Sequence, residues 1–409
     1  MLSLRQLFLK HVAQTSESPL LLEVERAEGV YLFGPDGKRY FDLISGVSVS
    51  NVGHCHPRVV EAVAEQASKY MHLMVYGEYV QYPQVRFAQR LTALLPETLN
   101  NVYFVNSGSE AVEGALKLAK RYTRRTEIIS FINAYHGSTH GALSVMGNEE
   151  PKRAFRPLLP DIRHIQFNLL LDLDQITERT ACVIIEPVVG NMNLIVPHME
   201  FLKTLRELCT AHGTVLIFDE VMTGFRVALG GAQALYNIKP DMTTLGKVIG
   251  GGLPVGAFGG RKDIMSVLAP LGPVYQAGTL SGNPVAVTAG LMTLKLIQAE
   301  GFYDKLTMQT KKLMDGLIQA ASQAGVTFSA QSVGGMFGLY FCKACPSSFA
   351  EIMQSDKEAF NKFFHSMLDS GIYLGPSAFE AGFVSAAHTD ADIEFTITAA
   401  KKAFALLRN

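Results

Sequence analysis

Five short apolar runs between residues 102 and 258 limit the folds open to this chain. Val102–Val105, Ile128–Phe131, Cys182–Ile185, Val215–Phe218 and Val255–Phe258 are almost unbroken by polar residues, and helical stretches separate them. A strand with one wet face alternates apolar with polar residues, whereas an unbroken apolar strand is covered on both faces. Strands of this kind interleaved with helices predict an α/β fold around a parallel or mostly parallel sheet. Upstream, Pro57–Tyr70 has the spacing of an amphipathic helix with proline near its start. Before it, Gly29–Phe33 and Arg39–Asp42 flank Gly34-Pro35-Asp36-Gly37 and read as a β-hairpin. Beyond about residue 290 come a long helical stretch and then short mixed elements. The expected division is a large domain over residues 51–290, with residues 1–50 and 291–409 joining into a smaller α+β domain.

Charge narrows the partners. Lys and Arg number 36 against 37 Asp and Glu, so no strong field would draw the chain to nucleic acid or to an anionic membrane. No apolar stretch approaches the ~20 residues of a membrane span. The first residues lack the apolar core of a signal peptide. A cytoplasmic protein with no nucleic-acid and no membrane partner is expected. Five cysteines do not make a disulfide framework. Cys342 and Cys345 form a CxxC without a second ligand pair, and His54, Cys55 and His56 are too close in sequence to converge on one ion, so no metal is expected.

In an open parallel sheet, ligands bind beyond the carboxyl ends of the strands. Val102–Val105 runs into Asn106-Ser107-Gly108-Ser109-Glu110 and a helix from Ala111 to Tyr122. That is either an anion site at a helix N-terminus or a plain cap completed by Glu113. Val215–Phe218 ends in Asp219-Glu220. A carboxylate there needs a cation, which could be a protonated ring nitrogen of a ligand or Arg226. Lys247 stands in an apolar, glycine-dense loop (Gly246 to Gly256), where desolvation would lower its pKa and make it an amine nucleophile. Tyr135 in Tyr135-His136-Gly137 could stack on a flat ring, or simply edge the core. Thr279 lies in a small-residue loop, Gln276–Pro284, whose hydroxyl could reach a phosphate. Together these are the parts for holding pyridoxal phosphate: a phosphate cup, a stacking ring, a carboxylate for the ring nitrogen and a lysine for the aldehyde.

The ordered motifs NSGSEA, AYHG, FDEVMTGFR, TTLGKVIGGGLPVGA and QAGTLSGNP resemble those of the class III, ornithine-type aminotransferases, over nearly the whole chain. The resemblance implies the fold type I architecture of pyridoxal-phosphate enzymes, a large domain with a mostly parallel seven-stranded sheet plus a small α+β domain from both termini. It also implies a homodimer with active sites at the interface. Lys247 would carry the cofactor covalently and move protons, and Asp219 would pair with the ring nitrogen. Val221 and Tyr135 would cover the two ring faces. Ser107, Gly108 and Ser109 would hold the phosphate, with Thr279 reaching in from the other subunit. The cofactor would alternate between pyridoxal 5'-phosphate and pyridoxamine 5'-phosphate.

Within that family the two halves differ. From about Glu186 onward, EPVVGNMNLIVP, the FDEVMTGFR segment and GIYLGPSAFEAGFVSAAHT resemble glutamate-1-semialdehyde 2,1-aminomutases, and Glu380 of FEAGF would lie at the substrate pocket. The front half resembles acetylornithine, ornithine and 4-aminobutyrate aminotransferases. It lacks the aminomutases' SPVRAF-like arginine, their tryptophan near Ser45–Asn51 (the chain has no Trp) and their long loop after YHG. A hybrid with a seam near residues 180–190 would account for the change. Arg58, Arg86 and Arg153 are candidates for the absent carboxylate partner. The expected activity is the aminomutase, an isomerase that moves an amino group within a small amino-acid-derived substrate to give 5-aminolevulinate for porphyrin biosynthesis. The alternatives are a class III ω-aminotransferase using 2-oxoglutarate, and a fold that binds the cofactor without turnover.

Overall fold

The computed structural model describes residues 2–407 other than 17 and 98. Its main sheet has seven strands, numbered here in chain order: β1 (Asn101–Val105), β2 (Glu127–Phe131), β3 (Ile162–Ile165), β4 (Thr180–Ile185), β5 (Val215–Asp219), β6 (Met242–Leu245) and β7 (Gly256–Gly260). Their order across the sheet is β1-β7-β6-β5-β4-β2-β3. β7 runs antiparallel to both of its neighbours, and the other pairs are parallel. The sheet is the mostly parallel seven-stranded one expected.

Alternate residues of each strand point to opposite faces, and both faces are packed. On one, Ile128, Ile184, Val215 and Ile217 meet Ala111, Ala115, Leu118 and Ala119 of the helix Gly108–Thr123. On the other, Ile129, Val183, Leu216 and Phe218 meet Phe201, Leu202 and Leu205 of the helix Met199–Ala211. This double cover explains the apolar runs. It also explains the two strands that no run marks. β3 is a sheet edge with exposed Arg163 and half-buried His164. β6 is fully buried but carries Thr243 and Thr244, whose hydroxyls find acceptors on Gln233 and Asp219.

The two ends of the chain meet in a second sheet. Arg26–Glu28, Tyr31–Phe33 and Arg39–Asp42 form an antiparallel ribbon, and Ile372–Tyr373 adds to it parallel to Arg39–Asp42. Phe41 and Leu43 pack in one core with Leu313 and Leu317 of the helix Phe302–Ala324, Phe363 of the helix Lys357–Asp369 and Phe404 of the helix Asp390–Leu406. A third sheet, Ser329–Val333, Met336–Tyr340 and Gly382–Phe383, lies within the C-terminal part. No helix among the described residues is long and apolar enough to cross a membrane.

Candidate active site

A cavity of about 510 Å³ opens at the carboxyl ends of the parallel strands. Ser107, Gly108, Ser109, Tyr135, Asp219, Val221 and Lys247 all line it, although they are scattered between positions 107 and 247 of the sequence. β1 delivers the first three. Ser107, two residues beyond the strand, caps the helix, its Oγ accepting from Glu110 N at 3.2 Å. The cap is therefore present, but Glu113 does not complete a box. Its carboxylate instead accepts from Thr139 Oγ1 at 2.6 Å, Gly141 N at 2.8 Å and Ala142 N at 3.1 Å, which ties down the loop after Tyr135. The first-turn N–H groups of the helix have no intrahelical acceptor, and with the macrodipole they favour an anion beside Ser107 and Ser109. Gly137 brings the next loop against that cup. It sits at φ +119, and a Cβ there would lie 2.2 Å from Ser109 Oγ, so neither the conformation nor the space admits a side chain.

Asp219 ends β5, 4 % exposed. Its Oδ1 accepts from Val221 N at 3.1 Å and Thr244 Oγ1 at 3.0 Å. Its Oδ2 shares a 2.6 Å hydrogen bond with His136 Nδ1. Arg226 is not its partner. That guanidinium is fully buried and donates from Nη1 to Val384 O at 2.9 Å, and burial lowers its pKa to about 9. The turn after Glu220 carries it away from the cavity. Glu220 is likewise buried, and its carboxylate is consumed by Thr223 Oγ1, Ala232 N and Gln233 N.

Lys247 follows β6 at φ +50, a left-handed conformation that costs a non-glycine residue about 1–2 kcal/mol and is concentrated at functional sites. Its Nζ forms no hydrogen bond or ion pair with the described residues. Burial lowers its pKa, while Glu186 and then Asp219 oppose that shift. Tyr135, 43 % exposed, lies on the rim with its ring available.

Class III aminotransferase is the family model that matches, over residues 12–391. The chain belongs to that family. A glutamate-1-semialdehyde 2,1-aminomutase of Laribacter hongkongensis is 52% identical over 395 residues, covering 93% of this chain and 91% of that protein. One from Herminiimonas arsenicoxydans is 52% identical over 396 residues, covering 94% and 91%. Both alignments are long enough to cross residues 180–190, so one kind of relative spans the seam suggested by the front-half departures. Among solved structures, an omega-transaminase from Sphaerobacter thermophilus superposes with TM-score 0.86 at 27% identity, covering 96% of this chain and 93% of that one. A transaminase with PLP bound gives 0.85 at 28%, covering 97% and 93%.

As a class III aminotransferase the chain is a pyridoxal-phosphate enzyme, and its cavity suits that cofactor. A helix N-terminus with two serines matches a phosphate, a buried carboxylate with spare lone pairs matches a protonated ring nitrogen, and an unpartnered lysine matches an aldehyde. Thr279 and Glu380 do not join the cavity in the single chain. Thr279 is exposed, with Oγ1 at 3.5 Å from Tyr76 Oη. Glu380 is exposed beside Gly375 and Tyr373, its pKa raised by burial of the carboxyl end. No arginine lines the cavity among the described residues, so Arg58, Arg86 and Arg153 all lie outside it. The polar lining residues His136, Glu186 and Asn106 were not assigned to the site from sequence. His136 was visible only as a neighbour of Tyr135, and its pairing with a carboxylate 83 positions away leaves no local mark. Glu186 does carry one, a glutamate directly after a fully buried strand.

Proposed function

We infer that this class III aminotransferase is a glutamate-1-semialdehyde 2,1-aminomutase, delivering an amine to carbon 1 of its substrate and taking back the one on carbon 2 to give 5-aminolevulinate. The observation that carries the choice within the family is the 52% identity to aminomutases over more than nine-tenths of both chains. Bound pyridoxal phosphate supplies a ring that takes up the electron pair released when a proton leaves the amine-bearing carbon. Everything else falls to the protein. Asp219, held by three donors, would offer its remaining lone-pair capacity to the ring nitrogen and keep it protonated. Ser107, Gly108 and Ser109 would hold the phosphate. Val221 and Tyr135 would cover the two faces of the ring. Lys247 would carry the cofactor and, when free, move protons as a general base of lowered pKa.

We read the enzyme as a homodimer in which Thr279 of the partner subunit completes the phosphate cup and Glu380 borders the substrate. What supports it is an exposed apolar surface. Met71, Tyr76 and Val80 stand beside Tyr275 and Leu280, with the two segments joined through Asn283 Nδ2 to Met71 O at 3.0 Å. The division into residues 51–290 and a small domain from 1–50 and 291–409 accompanies this reading. Five free cysteines accord with a cytoplasmic setting.

Single-substrate turnover tests the function. Enzyme loaded with pyridoxamine phosphate is given glutamate-1-semialdehyde and no other amine or keto acid, and 5-aminolevulinate is assayed. Many turnovers per site are expected. One turnover that stalls until 2-oxoglutarate or an amine is added would identify an ω-aminotransferase instead, the reading favoured by a cavity without an arginine. Lys247→Ala should abolish both turnover and the visible absorption of the bound cofactor.

A further inference from the structure

Glu186 is the charged residue of the cavity for which the reaction above has no use. It stands one residue beyond β4, 6 % exposed. Its polar partners among the described residues are two backbone groups: Tyr135 N at 3.0 Å on Oε2 and Gly190 N at 3.5 Å on Oε1. A carboxylate has about four lone-pair sites, so with two backbone donors about half of this acceptor capacity is open, and among the described residues Glu186 forms no ion pair. Such a group is costly to bury unless a positive charge comes to it.

The sheet states where that charge is. β4, β5 and β6 are consecutive in the sheet and parallel. Their carboxyl ends therefore present Glu186, Asp219 and Lys247 in a row across one cavity wall. Neighbouring strands are about 4.8 Å apart, so roughly 10 Å separates the first and third, a gap that two long side chains can close. Asp219 stands between them but is engaged by Val221 N, Thr244 Oγ1 and His136 Nδ1. Resting on the assignment of Lys247 as the cofactor lysine, we propose that Glu186 is the counter-ion of Lys247, balancing its positive charge both when the lysine is bound to the cofactor and when it is released as a free ammonium. An aminomutase that begins from the pyridoxamine form spends that state with its lysine free, and the ammonium then needs a partner which Asp219, committed to the ring nitrogen, does not supply. The other charged groups acting on the pair are His136 and Asp219 beside Glu186, and Asp219 and Arg226 around Lys247. In the protein, burial raises the pKa of Glu186, and Glu186 is the foremost charge favouring protonated Lys247.

Glu186→Gln is the test, because its amide oxygen still accepts from Tyr135 N while the charge is gone. The pH midpoint of the visible cofactor band of the holoenzyme, which reports protonation at the lysine nitrogen, should fall by about one unit or more. Glu186→Asp should restore most of that shift. A Gln variant that titrates like the wild type overturns the inference. A wild-type enzyme with no lysine-dependent band would instead remove the assignment of Lys247, so the two failures are distinguishable. Thermal unfolding of the full chain covers the case in which the Gln variant folds poorly. Glu186→Gln should lower the midpoint more in the presence of Lys247 than in a Lys247→Met background. Equal losses in both backgrounds, or failure to fold in both, would assign Glu186 a purely structural role and overturn the proposal.

Discussion

The His136 imidazole and the Asp219 carboxylate share their 2.6 Å hydrogen bond in a place closed to water, with His136 3 % exposed. Removing one partner of a buried hydrogen bond costs more than the bond itself contributes, because the other group is left unsatisfied. His136→Leu should therefore weaken cofactor retention and lower holoenzyme stability by about 1–3 kcal/mol, read from cofactor-release titrations and urea midpoints. His136→Asn, which keeps a donor, should lose less. At this scale the chemistry was legible wherever a residue's oddity is local. Asp219 closes an apolar run and Lys247 interrupts a glycine-rich one. Partners were not legible. Arg226, the nearest cation in sequence, goes to Val384 O, while Asp219 finds His136 from the loop after β2.

Helix Gly108–Thr123 shows how an element's intrinsic preference yields to its seat. Alanine in place of a mid-helix glycine normally favours a helix by about 1 kcal/mol. At Gly114, however, a Cβ would lie 2.3 Å from the Phe258 ring of β7, which is itself fully buried. Gly114→Ala should destabilise the chain by about 1–3 kcal/mol, measured by urea denaturation, and loosen the β1–β7 pairing that holds Ser107 in place. The joint between Arg39–Asp42 and the C-terminal part predicts a pH effect. His388 is 1 % exposed, its ring edge-on to Phe41 at 4.9 Å, and its Nδ1 accepts from Ser385 N at 2.9 Å. Burial lowers its pKa from 6.5 to about 4. Between those values the unfolded chain binds a proton that the folded chain refuses. Stability should thus be full above pH 6.5 and fall with decreasing pH by about 3 kcal/mol at pH 4. Denaturation midpoints at pH 7.5 and pH 5 check this, and His388→Gln should flatten the difference.

For the whole molecule, the unburied apolar surface sets the expectation. Val80 is 90 % and Tyr275 75 % exposed, in two segments joined by the Asn283 Nδ2–Met71 O hydrogen bond. Apolar patches of this kind mark association sites. Sedimentation should give twice the chain mass. Val80→Asp with Tyr275→Asp should give monomers that hold the cofactor less tightly, since each would lack the partner's Thr279. The sequence by itself determined the sheet class, because strands buried on both faces have no freedom to be polar. It also pointed to the cofactor's chemistry, because a small-residue turn at a helix start, a strand-end carboxylate and a lysine among glycines occur together in one ordered motif set. Burial patterns do not record which distant segments meet. Only the tertiary structure decided that β7 runs against its neighbours, that the chain's two ends share a sheet, and that Glu186, Asp219 and Lys247 stand in one row. Each of these depends on strand order, which is set by the packing of all the elements at once.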